Sequence, residues 1–531
     1  MMFWRTTFES NWLVVLRNTT ILCAVLFGFI SQSAVYGADN VFDFTDILRH
    51  RLANQPQAPL ASSSGSAQAT AWESGIVYEP CLLYELRTND SGGAFGVSLA
   101  SGYDIDGDGY DDILVGADGR SLGSSTGLPG KVFLYSGQTG GLIYSIANPT
   151  GDTAFASRRF GVSVDFVPDT DGDGIPDVLV GAYAGGQDSQ GKAYLFSGSD
   201  GSLRFSVEGE MDENSFGISV AGITDLNDDG FGEIIVGAPF KQSGTTFGTG
   251  DAHVYSGSTG EELYVFQGEK GFAGWSVAAL GDVDLDGYSD FLVGEIGGII
   301  PDTSFRGSVH IVSGKTGAKI RTFGPTPGAQ IFYVGWSVSP AGDVDGDGVV
   351  DVSFTQYNNG PYDLVVYSSV TGNLLLRKSI GFGLLYGARY NAGDLNGDGF
   401  DDVAAGSMAQ ITSGANNGLL YSTVDGGEFR STALGDVNND GFKDMIISNM
   451  SAVGVVRVYA LGDADCDGLN DLVDECTDFD GDGFGDPGFS ANVCAIDNCP
   501  AFASANQIDQ DGDGLGDVCD NCATTPNPEQ T

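Results

Sequence analysis

The sequence predicts an all-β chain: a seven-bladed β-propeller followed by a loop-rich tail stabilised by calcium and disulfides. Three observations predict the propeller. An acidic nine-residue pattern, first met as "DIDGDGYDD" at Asp104, returns at Asp169, Asp225, Asp282, Asp343, Asp394 and Asp436, with spacings of roughly 40 to 65 residues that suit one small sheet per repeat. Each copy follows an aromatic or glycine-led strand such as "FGVSLASGY" or "GWSVAALG", and precedes a Val/Ile/Leu strand such as "DILVGAD" or "EIIVGAP". A second hairpin comes next, as in "KVFLYSGQTGGLIYSI", "AHVYSGSTGEELYVF" and "SVHIVSGKTGAKIRTF", turning on glycine. Four strands per repeat and seven repeats describe a ring of small sheets.

Taken in order, residues 1–37 read as a signal peptide. Arg5 and Arg17 lead into the apolar stretch "ILCAVLFGFI", too short to span a bilayer, and cleavage is expected near Gly37. Cleavage would remove Cys23 and leave seven cysteines in an exported chain. Residues 38–74 read as a linker, because "NQPQAPLASSSGSAQATA" has little to bury. His50, in "DILRHRLA", reads as a surface residue. The propeller is assigned to 75–462. Its seventh repeat ends at "VVRVYA" without an outer strand, while "GIVYEPCLLYEL" at 75–86 resembles the second hairpin of a blade. The "LLYEL" segment is therefore expected to complete blade seven, with a Cys81–Cys466 disulfide stapling the closure.

Carboxylates this close repel one another unless a cation sits among them. The first loop places Asp104, Asp106, Asp108 and Asp112 at positions 1, 3, 5 and 9, Gly109 at the sharp turn of position 6, and the Tyr110 carbonyl at position 7. The second loop offers Asp169, Asp171, Asp173, Ile175 and Asp177, and the third Asp225, Asn227, Asp229, Phe231 and Glu233. The fourth offers Asp282, Asp284, Asp286, Tyr288 and Asp290; the fifth, Asp343, Asp345, Asp347, Val349 and Asp351. Asp394, Asn396, Asp398, Phe400 and Asp402 follow in the sixth, then Asp436, Asn438, Asp440, Phe442 and Asp444 in the seventh. Hard oxygen donors suit Ca²⁺, whereas zinc calls for Cys or His. An EF-hand is rejected: position 12 needs a bidentate Glu, and here it holds Val115, Val180, Val236, Val293, Phe354, Ala405 and Ile447. Asn at position 3 in the third, sixth and seventh loops lowers ligand charge, so weaker sites are expected there.

From residue 463 to 531 the hydrophobic strands disappear and cysteines interleave with three more loops. Their ligand positions are Asp463, Asp465, Asp467, Leu469 and Asp471; Asp478, Asp480, Asp482, Phe484 and Asp486; and Asp509, Asp511, Asp513, Leu515 and Asp517. A segment without a core holds its shape by staples and ions. About ten structural Ca²⁺ sites are expected in all.

The repeats resemble the FG-GAP repeats of the integrin α-chain head. The best copy runs from Phe216-Gly217 through the Asp225 loop to Gly237-Ala238-Pro239, whereas repeat seven carries Arg430 where glycine is expected. The segment "DNCPAFASANQIDQDGDGLGDVCDNC" resembles thrombospondin type 3 repeats. That resemblance implies Cys499–Cys519 and Cys476–Cys494 disulfides. It also implies a partner for Cys522 in a following repeat, so the sequence is expected to be truncated at Thr531. Both families imply adhesion or matrix contact as the class of function, without naming a ligand.

Composition agrees with that class. The formal charge is −48, from 71 acidic and 23 basic residues, and ten divalent ions would bring it to roughly −28. Such a surface repels nucleic acid and anionic lipid, so neither nucleic-acid binding nor direct membrane insertion is expected. The expected protein is a secreted or cell-surface interaction module, not an enzyme, which meets a protein or glycan ligand at the propeller face and could form part of a larger surface assembly. The alternative is an extracellular propeller hydrolase or lyase. Against it, the chain has three histidines, His50, His253 and His310, and neither a GxSxG nor an HExxH motif. Its acids recur at metal-ligand spacing in every blade. Sequons at Asn89 and Asn449 matter only in a host that glycosylates.

Overall fold

The Val/Ile/Leu runs behind each acidic loop form the second strands of seven antiparallel sheets. The computed structural model describes residues 80–530 apart from short stretches, the longest of them 120–129. The expected leader and linker, with Cys23, His50 and the Asn89 sequon, lie outside the described residues. Blade one comprises Phe95–Ala100, Ile113–Ala117, Lys131–Tyr135 and Leu142–Ala147, each strand pairing with the next. Blades two to six repeat this order, with second strands at Asp177–Ala182, Glu233–Ala238, Asp290–Ile296, Asp351–Asn358 and Asp402–Ala405. No helix occurs among the described residues.

Every blade is buried on both faces, which explains why the second strands are continuously apolar rather than alternating. Asp177–Ala182 and Glu233–Ala238 are buried along their whole length, whereas the outer strand Leu142–Ala147 alternates toward solvent. The apolar clusters fall at the junctions between neighbouring blades. Leu134, Val178 and Phe196 share one between blades one and two, and Ile235, Phe266 and Phe291 one between blades three and four.

The Phe-Gly and Gly-Ala dipeptides have a steric basis at these junctions. Gly217 adopts φ +82° and donates its N–H to the Gly237 carbonyl at 3.0 Å. A Cβ on Gly181 of the preceding blade would fall 2.2 Å from the Gly217 carbonyl oxygen. One glycine turns the chain, and the other lets two blades approach.

The ring closes as the sequence reading expects. Cys81–Arg87 pairs antiparallel with Val455–Ala460, completing a sheet with Asp444–Asn449 and Phe429–Gly435. Leu86, Phe95, Ile113 and Val456 share the cluster between blades seven and one. Arg457 Nε donates to Glu85 Oε1 at 2.9 Å across the closing pair. Tyr84 acts as an inter-blade latch: its hydroxyl donates to the Gly137 carbonyl, as Tyr144 does to Gly198 and Tyr264 to Gly314, both at 2.6 Å. Tyr84→Phe keeps the ring and deletes one hydrogen bond, so urea unfolding should show a loss of about 1 kcal/mol. An unchanged midpoint would show that the latch contributes nothing.

Among the described residues three disulfides are formed: Cys81–Cys466, Cys476–Cys494 and Cys499–Cys519, with Cys522 free and exposed. The tail has more than staples to hold it. Leu461, Ala464 and Phe489 pack into the apolar cluster of Tyr421, Met445 and Tyr459, and the Tyr421 hydroxyl donates to Asp471 Oδ2 at 3.2 Å. The first tail loop thus borrows core from blades six and seven.

Candidate metal centres in the acidic loops

Ten loops share one backbone conformation. Position 6 is a left-handed glycine in all ten, from Gly109 at φ +92° to Gly514 at φ +98°. Position 4 is left-handed too, and four loops place a side chain there against the usual preference: Asp228, Leu285, Asn439 and Cys466, at φ +59° to +65°.

This conformation turns backbone N–H groups toward the carboxylates. Asp104 accepts from Gly107 at 2.7 Å and Gly109 at 2.8 Å, and Asp108 accepts from Tyr110 at 3.0 Å. Asp282 and Asp286 repeat the pattern with Gly287 and Tyr288, and Asp343 and Asp347 with Gly348 and Val349. Tail Asp478 and Asp482 repeat it with Gly483 and Phe484.

Position 9 has a second task that the spacing alone does not reveal. One oxygen of Asp112 accepts from Ile105 N–H at 2.8 Å within the loop, and the other accepts from Gly137 N–H at 3.0 Å in the following hairpin. Asp290 bridges Val283 and Gly314 in the same way, Asp351 bridges Val344 and Ser369, and Asp402 bridges Leu395 and Gly414. The signal was present in the recurrent Ser-Gly of the second hairpin, read there only as a turn. Glu233 departs from this: its longer side chain reaches Leu226 N–H at 2.7 Å and accepts from Asn227 Nδ2 at 2.8 Å. Asn227 therefore spends its amide on position 9.

Position 8 was also missed. Asp111 Oδ2 accepts from Asp436 N–H, and Asp401 Oδ2 from Asp343 N–H, each at 2.9 Å. These carboxylates tie the loops of adjacent blades together, and their mark in the sequence is the doubled Asp of "GYDD" and "GFDD". Position 7 does similar work with its side chain, for the Tyr288 hydroxyl donates to Asp228 in the preceding loop at 2.8 Å.

The donor set fits a hard divalent cation. Single oxygens of Asp104, Asp106 and Asp108 lie within 4.8 Å of one another, as do those of Asp225, Asp229 and Glu233, and of Asp282, Asp284 and Asp290. Asp345 Oδ1, Asp463 Oδ1, Asp486 Oδ1 and both oxygens of Asp480 are buried without a hydrogen-bond partner. Buried carboxylate oxygens left this way call for a cation or a proton. His253 and His310 do not join these clusters. They lie buried on third strands, with His253 Nδ1 2.9 Å from Glu262 and His310 Nε2 2.8 Å from Glu295.

Burial, reinforced by the neighbouring carboxylates, pushes position 9 above the usual carboxylate range: Asp112 and Asp290 to about 6, Asp351 to about 7, Glu233 and Asp402 to about 8. Raised groups hold protons in the folded state that they release on unfolding. Their stabilisation is complete below the ordinary carboxylate pKa and is lost as pH rises through 6 to 8. In chelator, the melting temperature should therefore fall between pH 5.5 and 8; a rise over that interval would contradict the burial of these groups.

Comparison with known proteins follows the same repeats. Residues 95–135 match the FG-GAP repeat and residues 169–236 the FG-GAP-like repeat. The chain is 31% identical to integrin alpha-8 of Gallus gallus over 172 residues, covering 30% of this chain and 15% of that one. It is 33% identical to integrin alpha-6 of Gallus gallus over 153 residues, 27% of this chain and 14% of the relative. It is 31% identical to integrin alpha-5 of Xenopus laevis over 216 residues, 38% and 20% respectively. The matched part spans no more than a fifth of these relatives' length.

Proposed function

We propose that the chain is a secreted or cell-surface interaction protein whose calcium ions are structural. On this reading the propeller loops present a binding face to a protein or glycan, and the thrombospondin type 3-like tail forms a calcium-stiffened stalk. Positions 1, 3, 5 and 9 of a calcium-binding loop, with the position 7 carbonyl, would hold the ion, which supplies charge neutralisation and holds the loop closed. The supporting observation is recurrence: ten loops share one backbone scaffold, and acidic side chains converge on it in loop after loop, the signature of a repeated structural clasp. The likeness to integrin α chains through the FG-GAP repeats supports an adhesion or interaction role.

The test has two parts. Elemental analysis of the dialysed full chain should find about ten Ca²⁺ per molecule. The folded protein, spread over a glycan array and a panel of immobilised extracellular matrix proteins, should then show saturable binding that EDTA abolishes. Absence of bound metal would overturn the calcium reading. A calcium-loaded, folded chain that binds nothing on either panel would overturn the interaction reading.

A further inference from the structure

The second loop differs from the other six of the propeller at two positions that touch each other. Position 2 is apolar elsewhere, with Ile105, Leu226, Val283, Val344, Leu395 and Val437, but is Thr170 here. The second residue of the outer strand is Ile143 in blade one, Leu263 in blade three and Ile320 in blade four, but Arg204 in blade two. In the first and third blades the two positions share an apolar cluster, Ile105 with Ile143 and Leu226 with Leu263. Blade two has exchanged an apolar pair for a polar one.

Arg204 uses that exchange to enter the loop. Its Nη1 lies 3.2 Å from Asp177 Oδ2 and its Nε 3.7 Å from Asp171 Oδ2. Nη1 also donates to the Thr170 hydroxyl, which in turn donates to Asp177 Oδ2. Asp171 and Asp177 are two of the three carboxylates whose oxygens converge within 4.8 Å in this loop, Asp169 being the third. The guanidinium is largely enclosed, with its side chain 18% exposed, and Asp177 is fully buried. Lys315 beside the fourth loop offers a contrast: it is 47% exposed, stands 4.0 Å from Asp286 Oδ2, and meets the loop instead at the Asp286 carbonyl and over the Tyr288 ring.

We infer that Arg204 takes the place of the cation in the second loop, so that this blade closes without calcium while its neighbours require it. A planar guanidinium, always charged and held by part-buried hydrogen bonds, neutralises a carboxylate pair at a smaller dehydration cost than a divalent ion. Its Oδ2 contact at Asp177 occupies an oxygen that a metal would need. The consequence is a blade that stays folded at calcium levels where the other loops have opened.

The inference rests on the calcium reading of the remaining loops, and hydrogen exchange of the full chain separates the two. In EDTA, peptides covering the loops at Asp104 and Asp282 should exchange about tenfold faster or more than in calcium, while the peptide covering Asp169 to Asp177 changes by less than about twofold. Pairing Arg204→Ile with Thr170→Val restores the apolar pair and should make the second loop calcium-dependent, adding one Ca²⁺ per chain by elemental analysis. If the wild-type second loop loses protection in EDTA alongside its neighbours, Arg204 yields to the ion and the inference falls while the calcium reading stands. If no loop responds to EDTA, both fall. The wild-type comparison decides the matter even if the double variant does not fold.

Discussion

Removing calcium from the full chain is expected to lower its melting temperature by on the order of 10 °C or more, with the β-sheet signal lost at a temperature where the calcium-loaded protein is intact. The magnitude follows from many weak sites. Extracellular sites with dissociation constants near ~10⁻⁴ to 10⁻³ M each add roughly 1.4 kcal/mol at tenfold excess of ion. Seven or more of them contribute on the order of 10 kcal/mol, comparable to the net stability of a whole domain. The mechanism is electrostatic and local. Each loop holds three or more carboxylates in a ring of N–H donors, and several buried oxygens, those of Asp345 and Asp480 among them, have no donor to meet. The loops are also joined to one another through Asp111 and Asp401, so opening one releases a bond to its neighbour. Calorimetry in calcium, in magnesium and in sodium chloride of matched ionic strength checks this. Equal midpoints in all three would mean that the carboxylates need only screening, and the clasp reading would be abandoned.

The loops were legible because their requirements are local. A left-handed glycine at position 6 and oxygen donors at 1, 3, 5 and 9 are fixed by the chain within nine residues, and repetition distinguishes them from a chance turn. Closure was legible for a different reason: a blade lacking an outer strand and a stray strand at the other end complete each other. What stayed hidden acts between elements. Asp111 looks like one more acidic residue until the backbone of Asp436 lies beneath it, and Arg204 looks like an exposed strand residue until Thr170 and Asp177 are opposite. Blade six shows the limit from the other side. Its second hairpin, Gln410–Thr412 with Leu419–Ser422, has strands of three and four residues around "SGANNG", too short and too polar to declare themselves before the flanking blades supply the packing. The tail's dependence on Tyr421 and Met445 was hidden likewise, because a core borrowed from another segment leaves no hydrophobic run of its own.

Replacing Cys81 and Cys466 together by serine is expected to be the most damaging change at two positions. The bond spans a sequence separation of 385, and on the chain-entropy view a link that long stabilises by up to roughly 5 kcal/mol, by restricting the unfolded ensemble. Its place makes the effect larger than an equal bond elsewhere would give. Cys81 opens the one strand among the described residues that joins the beginning of the propeller to its end, and Cys466 sits at position 4 of the loop that follows the last blade. Without the staple, the closing strand is held by its pairing with Val455–Ala460, the Arg457–Glu85 contact, the Tyr84 latch and Leu86 in the junction core. The strand is the outermost of its sheet, paired on one side only, and an outer strand opens more readily than the inner ones. The double serine variant should therefore lose protection against hydrogen exchange first along Cys81–Arg87 and Val455–Ala460, and melt well below the wild type in the same calcium. Cys476→Ser with Cys494→Ser, which opens a bond of sequence separation 18, should leave those two strands protected. If instead both pairs of substitutions melt alike and the closing strands keep their protection, the ring is closed by packing alone and the disulfide serves only to anchor the tail.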